Sequence, residues 1–518
     1  MLIKNFLCFI GLLGILAGCS TQTKTEPTWD SSDITTPTQL RGIPNAEYDT
    51  DAQHNVVALL PLSGENADIG RSIQYSIELA ALESQPNPMF IKFYDTGVDA
   101  PLDTIHDALD SDPEFIIGPV FSTNAKLVRD NKSDETPVLS FTSDRTAVGN
   151  GVMSIALLPI NSIEAIIQEM SRDNIKNIII VAPETDSGHL MAGAALNASD
   201  ANNIETSGIF FYSENNSESI KASMADASAA DIRTKANNKA REILSDILTN
   251  ETITTLERSS MSVQLDKLSK TEYLGNLPYS AVLFLGNATD TKSLASFLRY
   301  YEVDSHSVRF YGTALWDDSD IASDFTMSGA KYATLPETEK TFSDAYARIS
   351  GTQPTKLASF GYDATKIASL FLNKKTDPTN PSGFNGVNGI VRFNSNGTNE
   401  RAMRIMYLNA SGTPREAKHA PTDFKTQLYK VSYDDIDTTD GYSLSEYSVD
   451  PMDYISIPER FMKKYKKTTR SQTTKQPTQS VTTVVNADTG DTVRASDYKP
   501  VKHESIKQKL IDSVEIQE

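Results

Sequence analysis

From residue 55 to about 410, short apolar runs alternate with segments whose apolar residues recur every three or four positions. Val56-Val57-Ala58-Leu59-Leu60 is unbroken and ends at Pro61 and Gly64, the pattern of a strand buried on both faces. Ile69, Ile73, Ile77, Ala80 and Ala81 then form one stripe at helical spacing. The same alternation predicts strands over Met89–Tyr94, Glu114–Ile117, Pro137–Phe141, Met153–Leu157, Asn177–Ala182 and Ile204–Tyr212. Between them it predicts helices over 101–110, 122–131, about 160–170 and 188–200. Strands and helices that trade places in this rhythm give right-handed βαβ units and parallel sheets. Seven strands before residue 213 exceed one comfortable sheet, so the fold class is α/β with two Rossmann-like lobes.

Residues 213–275 interrupt the rhythm with a polar stretch rich in Asn, Ser, Ala and Asp. Ala240, Ile243, Leu244, Ile247 and Leu248 make a narrow stripe within it, so a helical insertion is expected. The alternation resumes at Ala281–Leu285, a helix at 290–302 and Val308–Tyr311, followed by helices near 338–349 and 362–373. Residues 413–458 are acidic and Tyr-rich, and 468–483 are dominated by Thr, Gln and Lys. The whole of 413–518 is therefore expected to be irregular to disordered, with a short helix near 503–514.

The chain has 518 residues and 48 Lys+Arg against 68 Asp+Glu, a formal charge of −20. That balance repels phosphate, so nucleic acid is not an expected partner. One basic cluster stands against it: Arg460, Lys463, Lys464, Lys466, Lys467 and Arg470, which reads either as a solvated run or as a contact for an anionic surface.

The N-terminus supplies an address. Lys4, an apolar stretch from Phe6 to Leu16 and then Leu16-Ala17-Gly18-Cys19 describe a signal peptide over 1–18. Leu-Ala-Gly-Cys resembles the bacterial lipobox, which implies acyl chains on Cys19 that hold the protein to a membrane. Ser20 after the cysteine implies the outer membrane, and residues 19–54 read as a flexible tether. Cys8 leaves with the signal, so no disulfide is expected within the mature chain.

Several motifs carry a family resemblance by their shared order. Leu60-Pro61-Leu62-Ser63-Gly64 with Ile69-Gly70, Tyr94-Asp95-Thr96-Gly97, Ile116-Ile117-Gly118-Pro119-Val120 and Pro137–Phe141 resemble the opening of type I periplasmic binding proteins. Gly361-Tyr362-Asp363-Ala364 and Phe384-Asn385-Gly386-Val387-Asn388-Gly389, followed by Phe393, Gly397 and Arg401, resemble the close of the leucine-binding branch. The lipobox, Ser140-Phe141-Thr142-Ser143-Asp144, the insertion and Gly312-Thr313-Ala314-Leu315-Trp316-Asp317-Asp318 are similar to the penicillin-binding-protein activator lipoproteins of that superfamily. The resemblance implies lobe one over 55–157 plus 337–383, lobe two over 158–336 plus 384–412, and a hinge of three crossings.

It also implies a cleft where strand carboxyl ends face each other. Ser63, Ser122, Thr142 and Ser143 fall in loops that hold a ligand carboxylate in amino-acid-binding relatives, although Ser or Thr before a helix serves equally as a cap. On lobe two, Asp186 and Asn287 stand where such relatives place an aromatic and an acid, and Trp316 is a candidate cap over a ligand or, equally, a packing or interface residue. Asp317, Asp318 and Asp320 read as a solvated turn, since no glycine turn or distal Glu completes a calcium loop. The six histidines are scattered and neither Gly-x-Ser-x-Gly nor a P-loop is present, so neither catalysis, a cofactor nor a metal is expected. Two functions follow from the resemblance. One is a non-catalytic activator that touches a peptidoglycan synthase; the other is the substrate-binding lipoprotein of an ABC permease, closing on an amino acid of the leucine, isoleucine or valine type or a related small ligand.

Overall fold

The structure is a computed structural model that describes residues 54–84, 89–317, 320–374, 379–424, 444, 447–472, 483–485 and 492–494. The signal peptide, Cys19, the tether and the helix expected near 503–514 lie outside the described residues.

Lobe one begins with β1 (Asn55–Leu60), α1 (Ala67–Leu82), β2 (Phe90–Asp95), α2 (Pro101–Leu109), β3 (Phe115–Ile117), α3 (Ser122–Asn131), β4 (Val138–Ser140) and β5 (Val152–Ser154). The strands form one parallel sheet in the order β2-β1-β3-β4-β5. Val56 to Leu60 are fully buried, as an unbroken apolar run on a two-faced sheet requires. The winding direction reverses at β1, so a crevice opens beyond the ends of β1 and β3.

Lobe two is wound from α4 (Pro159–Arg172), β6 (Asn177–Pro183), α5 (Asp186–Ala201), β7 (Glu205–Tyr212), α6 (Ser217–Ala227), α7 (Ala230–Leu248), α8 (Thr255–Ser269), β8 (Ala281–Phe284), α9 (Ala288–Tyr300), β9 (Arg309–Gly312) and β10 (Lys331–Thr334). The chain then returns to lobe one as α10 (Lys340–Ser350) and α11 (Lys356–Lys374), both packed on α1. Gly361 permits that packing, because a Cβ there would lie 2.8 Å from Ile73 Cγ2. Next come β11 (Phe384–Gly386), β12 (Gly389–Phe393) and β13 (Asn399–Arg401), a small antiparallel sheet. Finally β14 (Arg404–Leu408) and β15 (Pro414–Lys418) close the second sheet in the order β15-β14-β10-β9-β8-β6-β7, the first two antiparallel. This is the two-lobed type I periplasmic-binding-protein fold.

Buried polar groups tie the crossings together. The Asn399 Nδ2 donates to the Ser154 and Ala156 carbonyls at 2.8 and 2.7 Å, and its Oδ1 accepts from Asn161 Nδ2 at 2.9 Å. Asn161 Oδ1 in turn accepts the Arg401 backbone N–H at 3.3 Å, and the Arg401 guanidinium donates to the Ile155 carbonyl at 2.5 Å. Arg401 is fully buried and lies 4.5 Å above the Phe360 ring. Burial pushes its pKa down to about 10 against the charge of Asp363. Asp363 is itself pushed up to about 6 by burial, with the Arg401 charge opposing, and it accepts the Val387 N–H at 2.9 Å.

The tail differs from the expectation for 413–518. Beyond β15, residues 447–465 run along the insertion and continue into α12 (Glu459–Gln472). Met452, Ile455, Ile457 and Tyr465 are buried against Ala240, Ile243, Leu244, Ile247, Met261 and Leu268 of α7 and α8. Arg460 makes two 2.8 Å bonds to Glu257, and Lys464 pairs with Asp246 at 2.7 Å. Part of the basic cluster is therefore spent on the acids of the insertion. Further on, β16 (Thr483–Val485) pairs antiparallel with β17 (Thr492–Arg494).

Glu164 on α4 gives a test of the interior. It is 5% exposed, its Oε1 is unpartnered, and burial followed by the nearby Glu400 charge pushes its pKa up to about 9. The folded chain holds a proton that the unfolded chain releases, so stability falls as pH rises from 4.5 towards about 9. Glu164→Gln is expected to change little near pH 4 and to stabilise by ~1–3 kcal/mol near pH 8 in denaturant titrations. Equal effects at both pH values contradict this assignment. At the hinge, Asn399→Ala leaves two carbonyls and Asn161 without their partner and is expected to cost ~2–4 kcal/mol in the same experiment.

Candidate functional site

The cleft mouth is built by loops that follow the strands. After β1, the chain turns into α1 with Gly70 so close to the strand end that a Cβ would lie 2.0 Å from the Pro61 carbonyl. Asp95, the last residue of β2, fixes this loop: its Oδ1 accepts the N–H groups of Leu62, Ser63 and Gly97 at 2.7, 3.1 and 2.8 Å. Burial alone would raise the Asp95 pKa, but the Ser63 hydroxyl and these backbone donors outweigh it and hold the carboxyl below its usual range. The Ser63 N–H, in one of the loops expected to meet a ligand anion, is thus already occupied by the protein's own carboxylate.

Thr142 behaves alike. It is buried, its Oγ1 accepts the Asp144 N–H at 3.1 Å, and its carbonyl accepts from Ser154 at 2.6 Å. Ser122 is half-buried at the first residue of α3, and Ser143 is exposed. Ser63, Ser122, Thr142 and Ser143 therefore come together along the adjacent ends of β1, β3 and β4, yet Ser63 and Thr142 are committed inward.

On lobe two, Asn287 is the N-cap of α9: its Oδ1 accepts the Asp290 N–H at 2.9 Å and its Nδ2 donates to Asp290 at 3.0 Å. Asp186 is exposed in the first turn of α5, where an acid complements the helix dipole. Near it, and not singled out from the sequence, His189 stacks on Phe211 at 4.0 Å and bonds Glu184 at 2.9 Å.

Trp316 does not reach the cleft. It is 1% exposed, its indole N–H donates to Thr291 at 3.3 Å, and it packs on Phe284 and Tyr332 with centroids 6.3 and 5.9 Å away. Gly312 of the same motif makes room, since a Cβ there would lie 2.3 Å from the indole ring. Of the roles the sequence left open for Trp316, the structure selects packing, not a cap or an interface. Asp317 is corrected as well: it is not part of a solvated turn but accepts from Thr334 at 2.8 Å and Lys356 at 2.6 Å. Asp320 is the exposed member, paired with Lys292 at 2.8 Å, and Asp318 lies outside the described residues.

A solved structure at a TM-score of 0.53 agrees with this architecture. Residues 22–240 match the family model described as "LppC putative lipoprotein", which bears out the family resemblance over that part of the chain. No curated protein sequence matches. Among solved structures, a "putative branched-chain amino acid ABC transporter" from Rhodospirillum rubrum is 16% identical with a TM-score of 0.53, covering 70% of this chain and 99% of that one. The C-domain of LpoA (YraM) from Haemophilus influenzae, described as a regulator of PBP1A, is 16% identical at a TM-score of 0.48, covering 70% and 99%. Against one full-length LpoA structure from the same organism the TM-score is 0.49 at 16% identity, and the match spans 71% of this chain and 59% of that chain.

If Asp95 is the internal anion of the loop, Asp95→Ala frees three N–H groups and is expected to destabilise by ~2–3 kcal/mol at neutral pH. Because its pKa is lowered in the fold, the loss shrinks as pH falls through the folded value. A pH-independent loss measured by thermal unfolding contradicts the role.

Proposed function

We propose that this chain is a lipid-anchored envelope protein, held through acyl chains on Cys19 in the outer membrane, that regulates a peptidoglycan synthase by protein contact. The observation that carries the reading is the inward commitment of the cleft. The Ser63 N–H, Thr142, Asn287 and Trp316 are all bound within the protein, which favours a fold kept as a scaffold over one kept as a receptor. The sequence motifs shared with the activator lipoproteins support the partner class, and the lipoprotein family match supports the anchor. No catalytic role is assigned to any residue.

The insertion offers the docking face. On α8, Leu256 and Val263 are 81% and 67% exposed and lie seven residues apart, on one side of the helix. The opposite side, through Met261 and Leu268, is covered by α7 and the returning tail. Two large apolar side chains bare on one helix face form the kind of exposed patch that marks a contact site.

The test is reconstituted glycan polymerisation by the class A penicillin-binding proteins of the same bacterium, with the lipidated protein added. Saturable stimulation is expected, and Leu256→Asp with Val263→Asp should weaken it by about tenfold while leaving the melting temperature unchanged. If no synthase responds or binds, the reading fails. If stimulation persists in the double variant, the synthase reading stands and another surface docks.

A further inference from the structure

The two lobes meet at Asp317. Its predecessor Trp316 is locked in the lobe-two core, and Thr334, which donates to Asp317 Oδ2 at 2.8 Å, is the last residue of β10 before the chain leaves that lobe. Lys356 comes from the other side. It opens α11, which packs along α1, and its neighbour Thr355 bonds Ser72 of α1 at 3.2 Å. Across this junction Lys356 Nζ donates to the same Oδ2 of Asp317 at 2.6 Å. The Asp317 side chain is 15% exposed and that of Lys356 34%, so the pair is shielded from much of the screening that weakens surface ion pairs.

We propose that the Lys356–Asp317 pair is a latch that holds the two lobes together without a bound ligand. The covalent crossings at 155–158 and 335–339 and the small β11–β13 sheet set an axis, but they do not by themselves fix the angle about it. An ion pair between the first turn of a lobe-one helix and a lobe-two loop does fix it. Opening the cleft must part the two charges and rehydrate both. The lobe angle held by this pair is therefore the resting state, and a partner that changes it has to offset the loss of the pair. This inference rests on geometry and stands whether or not a synthase is the partner.

The test is the distance between spin labels on the full chain carrying Cys8→Ser, Cys19→Ser, Asp99→Cys and Asp186→Cys, the last two at exposed positions beyond β2 and β6. A single short distance is expected without ligand. Lys356→Met should raise the population of longer distances about fivefold, which is ~1 kcal/mol at tenfold per 1.4 kcal/mol. The swapped pair, Lys356→Asp with Asp317→Lys, should restore the short distance. An unchanged distribution in Lys356→Met, or no recovery in a folded swap, overturns the latch. Should Lys356→Met fail to fold, Asp317→Asn decides in its place. It removes the charge and retains a group for Thr334, and an unchanged distribution in it overturns the proposal equally.

Discussion

Arg401 is fully buried where β13 meets the first crossing, and the fold depends on how that charge is accommodated. Moving a guanidinium out of water costs several kcal/mol unless its hydrogens are met and an opposite charge is near. Here the Ile155 carbonyl takes one guanidinium hydrogen, the Phe360 ring lies against its face and Asp363 supplies the opposite charge, each from a different stretch of chain. The first crossing, the small antiparallel sheet and α11 are consequently held in one arrangement. Asn399 and Asn161 extend the same tie to Ser154 and Ala156. A bare hydrophobic seam would allow these segments to slide, whereas directional bonds to named carbonyls do not.

That fixed hinge explains why the cleft can be spared for something other than ligand capture. With the crossings tied by this network and the lobe angle held by the Lys356–Asp317 pair, polar groups at the strand ends are free to finish local turns. Asp95 closes the β1–α1 loop, Thr142 braces the turn after β4, and Asn287 caps α9. Each arrangement satisfies backbone donors that would otherwise need water or a ligand. The distinctive surface then lies elsewhere, on the α7–α8 hairpin and its covering tail, which are built around their own apolar cluster.

Much of the fold was legible because buried parallel strands and amphipathic helices write period and continuity into the sequence, as at Val56–Leu60 and Ile160–Met170. Elements whose burial depends on distant residues were not. The segment 459–472 reads as a charge run, since Phe461, Met462 and Tyr465 make too thin a stripe on their own; its partners on α7 and α8 stand about two hundred residues upstream. Asp317 resembled a solvated turn because its partner Lys356 is 39 positions on. Trp316 stayed open between a cap and a packing role because nothing local says that Gly312, Phe284 and Tyr332 enclose it. At the cleft, residue type and loop position were readable from Ser63, Thr142 and Asn287. Whether each hydroxyl or amide faces a ligand or its own backbone is decided by bonds of a few ångströms that no spacing encodes.

The central claim is that Ser63, Thr142 and Asn287 at the strand ends are already bound within the protein, so the cleft does not close on an amino acid. The most direct measurement is thermal unfolding of the lipidated protein against the common amino acids and muropeptide fragments, with a known receptor as control. A ligand present at a hundred times its Kd adds ~2.7 kcal/mol, equivalent to several degrees for a chain of this size. The account predicts no shift with any amino acid while the control responds. A rise of several degrees with leucine, isoleucine, valine or another single amino acid would contradict it and return the cleft to the role of a receptor.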